Sequence, residues 1–73
     1  MMPFTFADFN KDYRVVAIKG NEDAVTFLKK LGVVKGNIVQ CISNNSSGFI
    51  IKIKESRFAI DAKMATKIMV EEV

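Results

Sequence analysis

Apolar residues change their spacing several times along the chain, and each change marks an element. Residues 13–19 are rich in Val and Ile and stop at Gly20-Asn21, a turn pair, which predicts a first long strand. Upstream of it Phe4, Phe6 and Phe9 are apolar, and Asn10-Lys11-Asp12 reads as a tight turn feeding the strand. The spacing then becomes helical: Ala24, Phe27, Leu28 and Leu31 recur at i, i+3, i+4 and i+7, which places all four on one core-facing stripe. Both ends of this helix, predicted over residues 22–31, agree with the pattern. Asn21 supplies a cap for the first free amides, and Glu22 and Asp23 lie at the positive end of the helix dipole. Lys29 and Lys30 lie at its negative end, and Gly32 takes the left-handed conformation that stops it.

After Val33-Val34, a turn at Lys35-Gly36-Asn37 opens a second strand over residues 38–43, nearly all apolar. The cluster Asn44-Asn45-Ser46-Ser47-Gly48 predicts a loop, because such side chains bond their own backbone or tolerate positive φ. Phe49, Ile51 and Ile53 then alternate with Ile50, Lys52 and Lys54, the mark of a half-buried strand with its lysines in water. Glu55-Ser56 turns the chain into a return strand over residues 57–61, with Phe58 and Ile60 inward. Asp61 caps one helical turn, and Ile68, Met69 and Val70 form the last strand. Five short strands in so small a chain shelter their edges only by curling, so the expectation is a mainly β fold: one five-stranded barrel over residues 1–73.

Composition narrows the class. With 73 residues there is room for one core, and 49% apolar residues argue against disorder. Cys41 is the only cysteine and sits in an apolar run, so no intramolecular disulfide forms and a reduced, buried thiol in the cytoplasm is expected. Neither a signal peptide nor a membrane span is legible: Met1-Met2-Pro3-Phe4 carries no basic stretch ahead of an apolar one. Eleven Lys and Arg against eight Asp and Glu give a net charge of +3, spread along the chain rather than gathered in a nucleic-acid-binding stripe.

The inventory argues against an enzyme. There is no His, so the commonest general base and transition-metal ligand are both missing. No serine has a visible activating partner and no phosphate-cradling glycine loop is present. The adjacent pairs Glu22-Asp23 and Glu71-Glu72 point apart on a helix or strand, so they read as solvated charge, and neither a metal site, a catalytic residue nor a cofactor is assigned.

Order and spacing together resemble a known family. Leu31-Gly32-Val33-Val34-Lys35-Gly36-Asn37-Ile38-Val39, preceded by an amphipathic helix, is similar to the leucine-glycine, turn-glycine, strand signature of the FeoA family of small ferrous iron transport proteins. Phe58-Ala59-Ile60, Ala65 and Ile68-Met69-Val70 resemble its closing pattern. The likeness covers residues 9–73 well and residues 4–8 more loosely; Lys35 departs from it, standing where the family often has proline. The same barrel occurs as a terminal domain of metal-dependent repressors related to the diphtheria toxin repressor, whose DNA-binding and dimerisation domains have no counterpart among these residues. The resemblance implies an SH3-like barrel acting in the cytoplasm, recruited to the inner face of the membrane by FeoB, a permease with a GTP-hydrolysing domain. The implied role is accessory and non-enzymatic: binding that permease and modulating iron uptake, as a monomer or weak homo-oligomer.

The partner surface expected from the residues themselves is the outward side of the helix and the turn after it: Val25, Lys29, Lys30, Gly32, Val34, Lys35 and Gly36. Two rival readings compete. Small barrels bind single-stranded RNA or DNA by stacking bases on exposed aromatics, but alternation puts Phe49 and Phe58 inward, away from Lys52, Lys54 and Arg57. A polyproline groove needs exposed aromatics that a chain with no Trp and one Tyr lacks.

Overall fold

The computed structural model describes residues 1–73. Its elements in chain order are β1 (Met2–Pro3), a 3-10 turn (Phe4–Phe6), β2 (Tyr13–Ile18), α1 (Glu22–Leu31) and β3 (Ile38–Asn45). They are followed by β4 (Gly48–Ile53), β5 (Ser56–Ile60), α2 (Ala62–Ala65) and β6 (Ile68–Glu72). All ladders are antiparallel, and the strands form one sheet in the order β1-β6-β2-β3-β4-β5.

Six strands therefore stand where five were expected, because the two-residue β1 is too short to leave a pattern in sequence. The end strands β1 and β5 share no ladder, so the sheet curls into a barrel-like form without hydrogen-bonded closure. Two bulges give it curvature, at Val16 in β2 against β6 and at Ile42 in β3 against β4. A bridge from Phe9 to Cys41, with the Asn10 N–H donating to the Cys41 carbonyl at 2.8 Å, lays the chain before β2 along β3.

The residues expected to form a loop at 44–48 mostly continue the ladder. Asn44 pairs with Phe49 and Asn45 with Gly48, leaving Ser46-Ser47 as the turn. The Asn45 Oδ1 accepts from the amides of Ser47 at 2.7 Å and Gly48 at 3.2 Å, so the asparagine side chain tightens the hairpin instead of loosening it. Gly48 is required here: its φ is +149°, and a Cβ would stand 2.3 Å from the Ile60 carbonyl oxygen. The next turn is Lys54-Glu55, with Lys54 at φ +56°.

Fourteen buried side chains make one core, from Phe4 through Tyr13, Leu28 and Ile51 to Val70. No polar or charged residue is buried, and no buried side-chain polar atom lacks a partner. The Tyr13 hydroxyl accepts from the Asp8 amide at 2.9 Å. Phe27 corrects the helical stripe: Ala24 and Leu28 are buried and Leu31 partly so, but Phe27 is 44% exposed. The helix sits on the barrel through a narrower strip than four positions, and Phe27 falls on its flank.

Candidate functional site

Three pieces of chain meet where β2 parts from β3. Their ladder comprises only Tyr13 with Val39 and Arg14 with Ile38. Just beyond it the turn before β3 is tied to β2: the Val15 amide donates to the Asn37 carbonyl at 2.9 Å, and the Gly36 amide to the Val15 carbonyl at 2.8 Å. Ala17 and Ile18 then pair with β6 alone, and Val16 between them and Val15 is the unpaired extra residue of the bulge. Their free side is met by Val25 and Lys29 from α1 and by Val34 and Lys35 from the segment after it. Between them lies an open groove of about 370 Å³, with the fully buried Val33 as its inner wall.

Local sequence fixes the frame of this groove. The Asn21 Oδ1 accepts from the Ala24 amide at 2.9 Å and caps α1 at its start. Gly32 ends the helix at φ +102°, donating its amide back to the Leu28 and Lys29 carbonyls. The Asn37 Nδ2 donates to the Gly32 carbonyl at 2.7 Å and so spans the turn that carries Val34 and Lys35.

The groove is aliphatic with a cationic rim. Its only charged lining residues are Lys29 and Lys35; no carboxylate faces it. Both ion pairs of the chain lie elsewhere, Lys11 with Glu72 and Arg14 with Glu71, joining β2 and the turn ahead of it to the end of β6. The hydrogen bond within the first pair holds the Glu72 carboxyl below its ordinary range and the Lys11 ammonium above its own.

Of the residues expected at a partner surface, Val25, Lys29, Val34 and Lys35 converge here. Lys30 is exposed but lies outside the groove. Gly32 turns inward, where a Cβ would meet the Ile53 Cγ2 at 3.2 Å. Gly36 faces a neighbouring depression with Asp12, Gln40 and Lys52. Sequence reasoning missed Val16, Ala17 and Ile18. Their signal was the unbroken apolar run from Val15 to Ile18, since a strand with one wet face alternates.

The remaining chemistry-bearing groups are scattered. Cys41 is 1% exposed, and burial pushes its thiol above the ordinary value. No three Cys, Asp or Glu side chains gather where they could hold a metal ion. On the β4-β5 hairpin Phe49 is buried and Phe58 half-buried, so neither ring lies open for base stacking. No helix is long and apolar enough to cross a membrane.

Comparison with known proteins gives a consistent picture. A family model described as the FeoA domain matches residues 2–72. Among solved structures, an iron uptake regulatory protein (FeoA) is 27% identical, with a TM-score of 0.90 over 99% of this chain and 97% of its own. The zinc complex of Stenotrophomonas maltophilia FeoA, described as a prokaryotic SH3 domain protein and put forward as a ferrous iron transport activating factor, is 19% identical. Its TM-score is 0.83, over 97% of this chain and 91% of its own. The apo form of the manganese-activated repressor ScaR is also 19% identical, with a TM-score of 0.87 over 99% of this chain but only 35% of the repressor. No curated protein sequence matches. The fold is thus SH3-like, in the mainly β form anticipated.

Proposed function

The chain belongs to the FeoA domain family, a ferrous-iron-transport-associated family, and from that premise we propose that it is a non-enzymatic accessory protein of bacterial ferrous iron uptake. It acts in the cytoplasm, binding the cytoplasmic part of a FeoB-type GTPase permease and modulating transport. The observation that carries this reading is the groove between α1, β2 and the turn before β3. It is an aliphatic surface without a nucleophile, general base or metal-ligand cluster, rimmed by cations that have no partner within the chain. Such a surface suits docking and offers no means of turnover.

The experiment is a calorimetric titration of the purified protein against the soluble GTPase-bearing part of the permease from the same organism, with GTP hydrolysis followed in parallel. Saturable one-to-one binding is expected. Absence of binding at protein concentrations of tens of micromolar, in every nucleotide state, would refute the proposal.

A further inference from the structure

We infer that the groove receives a partner segment in which one aliphatic side chain is flanked by carboxylates, an inference that rests on the docking role proposed above and specifies its chemistry. The lining dictates the anchor. Val16, Ala17, Ile18, Val25 and Val34 offer methyl groups and no side-chain hydrogen-bonding atom, so the lining between the lysines favours an aliphatic anchor over a polar one. A volume of about 370 Å³ is near the lower end for binding sites, suited to one or two branched side chains rather than a cofactor.

The rim dictates the flanks. Lys29 and Lys35 come from different elements and meet at one groove, and neither is among the ion-paired residues. Two like charges brought together with no carboxylate between them raise the local potential, which a partner bearing carboxylates on either side of its anchor lowers and a basic partner does not. The rim is also pre-formed. The helix carrying Lys29 is capped at both ends, and the bond from Asn37 to Gly32 fixes the turn carrying Lys35, so little backbone ordering is left to be done on binding. This chain's own acidic aliphatic end, Glu71-Glu72-Val73, is an unsuitable occupant. Both carboxylates are engaged, by Arg14 and Lys11.

The test is a titration of the full chain, labelled with nitrogen-15, with three short synthetic peptides. One carries a leucine between two pairs of aspartates, the second has serine in place of leucine, and the third has lysines in place of the aspartates. The first is expected to move the amides of Val16, Val25, Val34 and Lys35 and to weaken as salt is raised, and the other two to leave them in place. Lys29→Glu with Lys35→Glu, checked for an unchanged melting curve, lowers affinity for the first peptide about tenfold at low salt. Equal binding of the lysine or serine peptide overturns the inference. So does a shift pattern centred away from the groove, or anionic phospholipid vesicles or self-association producing the same shifts. If the permease fragment binds wild type and the double variant equally, the groove inference fails while the docking role stands. If the peptide binds but the permease fragment does not, the docking role fails instead.

Discussion

Replacing Gly48 by alanine tests whether the close approach of β4 to the end of β5 is as tight as the geometry states. Two costs separate cleanly because Gly36 provides a control. Gly36 sits at φ +96° with nothing within 4 Å of a would-be Cβ, so Gly36→Ala meets backbone strain alone, about 1 kcal/mol. In a domain of this length that corresponds to roughly 4–8 °C in Tm. Gly48 adds a Cβ 2.3 Å from the Ile60 carbonyl oxygen, with the Asp61 Cα at 3.1 Å. Neither atom belongs to a flexible side chain, so the hairpin must shift and strand backbone groups from their partners, a further ~1–3 kcal/mol. The total, about 2–4 kcal/mol, is most of the roughly 3–5 kcal/mol that a core of this size contributes. Urea denaturation followed by circular dichroism, with Tyr13 as the only tyrosine and no tryptophan present, reads both variants on one scale. A Gly48→Ala variant within about 0.5 kcal/mol of Gly36→Ala would refute the reasoning.

Leu28→Ala removes a fully buried side chain that seats α1 and is expected to cost about 2–5 kcal/mol, so the variant melts without a cooperative transition near room temperature. Asn21→Ala removes the cap on Ala24 and costs about 1 kcal/mol in the same urea assay, with the amides of residues 22–24 showing faster hydrogen exchange. The raised Cys41 pKa means the folded state holds its proton more tightly than the unfolded chain. Its contribution is complete below the ordinary thiol value of 9.0 and is lost as pH rises through the folded pKa, and Cys41→Ala should flatten that alkaline fall; a slope identical in both proteins would contradict it. Glu72 behaves in the opposite sense: its lowered pKa contributes stability above the ordinary value of 4.5 that is lost as pH falls through the folded pKa, and Glu72→Gln should remove that part of the acid transition.

The helix was legible to its last residue because independent signals coincide there: a cap at Asn21, acids then lysines along the dipole, and Gly32 at the end. Strand positions were legible from alternation, and Asp61 as the cap of α2 from its place before Ala62. What failed had a physical cause in each case. Composition marked Asn44 and Asn45 as loop, yet an asparagine side chain that holds the turn lets the ladder run to the turn itself. Phe27 obeyed the helical period but the barrel offers too narrow a seat for it. At the groove, the α1 and turn residues could be named from exposure alone. Val16 and its neighbours left one trace, the unbroken apolar run from Val15 to Ile18; the bulge itself is a property of the pairing between β2 and β6, distant in sequence, and one strand read alone does not give its register.

The position of β6 between β1 and β2 bears on how the molecule comes into being. Within the sheet β6 is the only link between β1 and β2, so until residues 68–72 are in place both strands lack a partner on that side. Folding therefore has to join residues 2–18 to residues 68–72, a long-range pairing of the kind that slows folding. Loss of even a few residues after Ile68 would not trim a border; it would pull a plank from the middle of the floor.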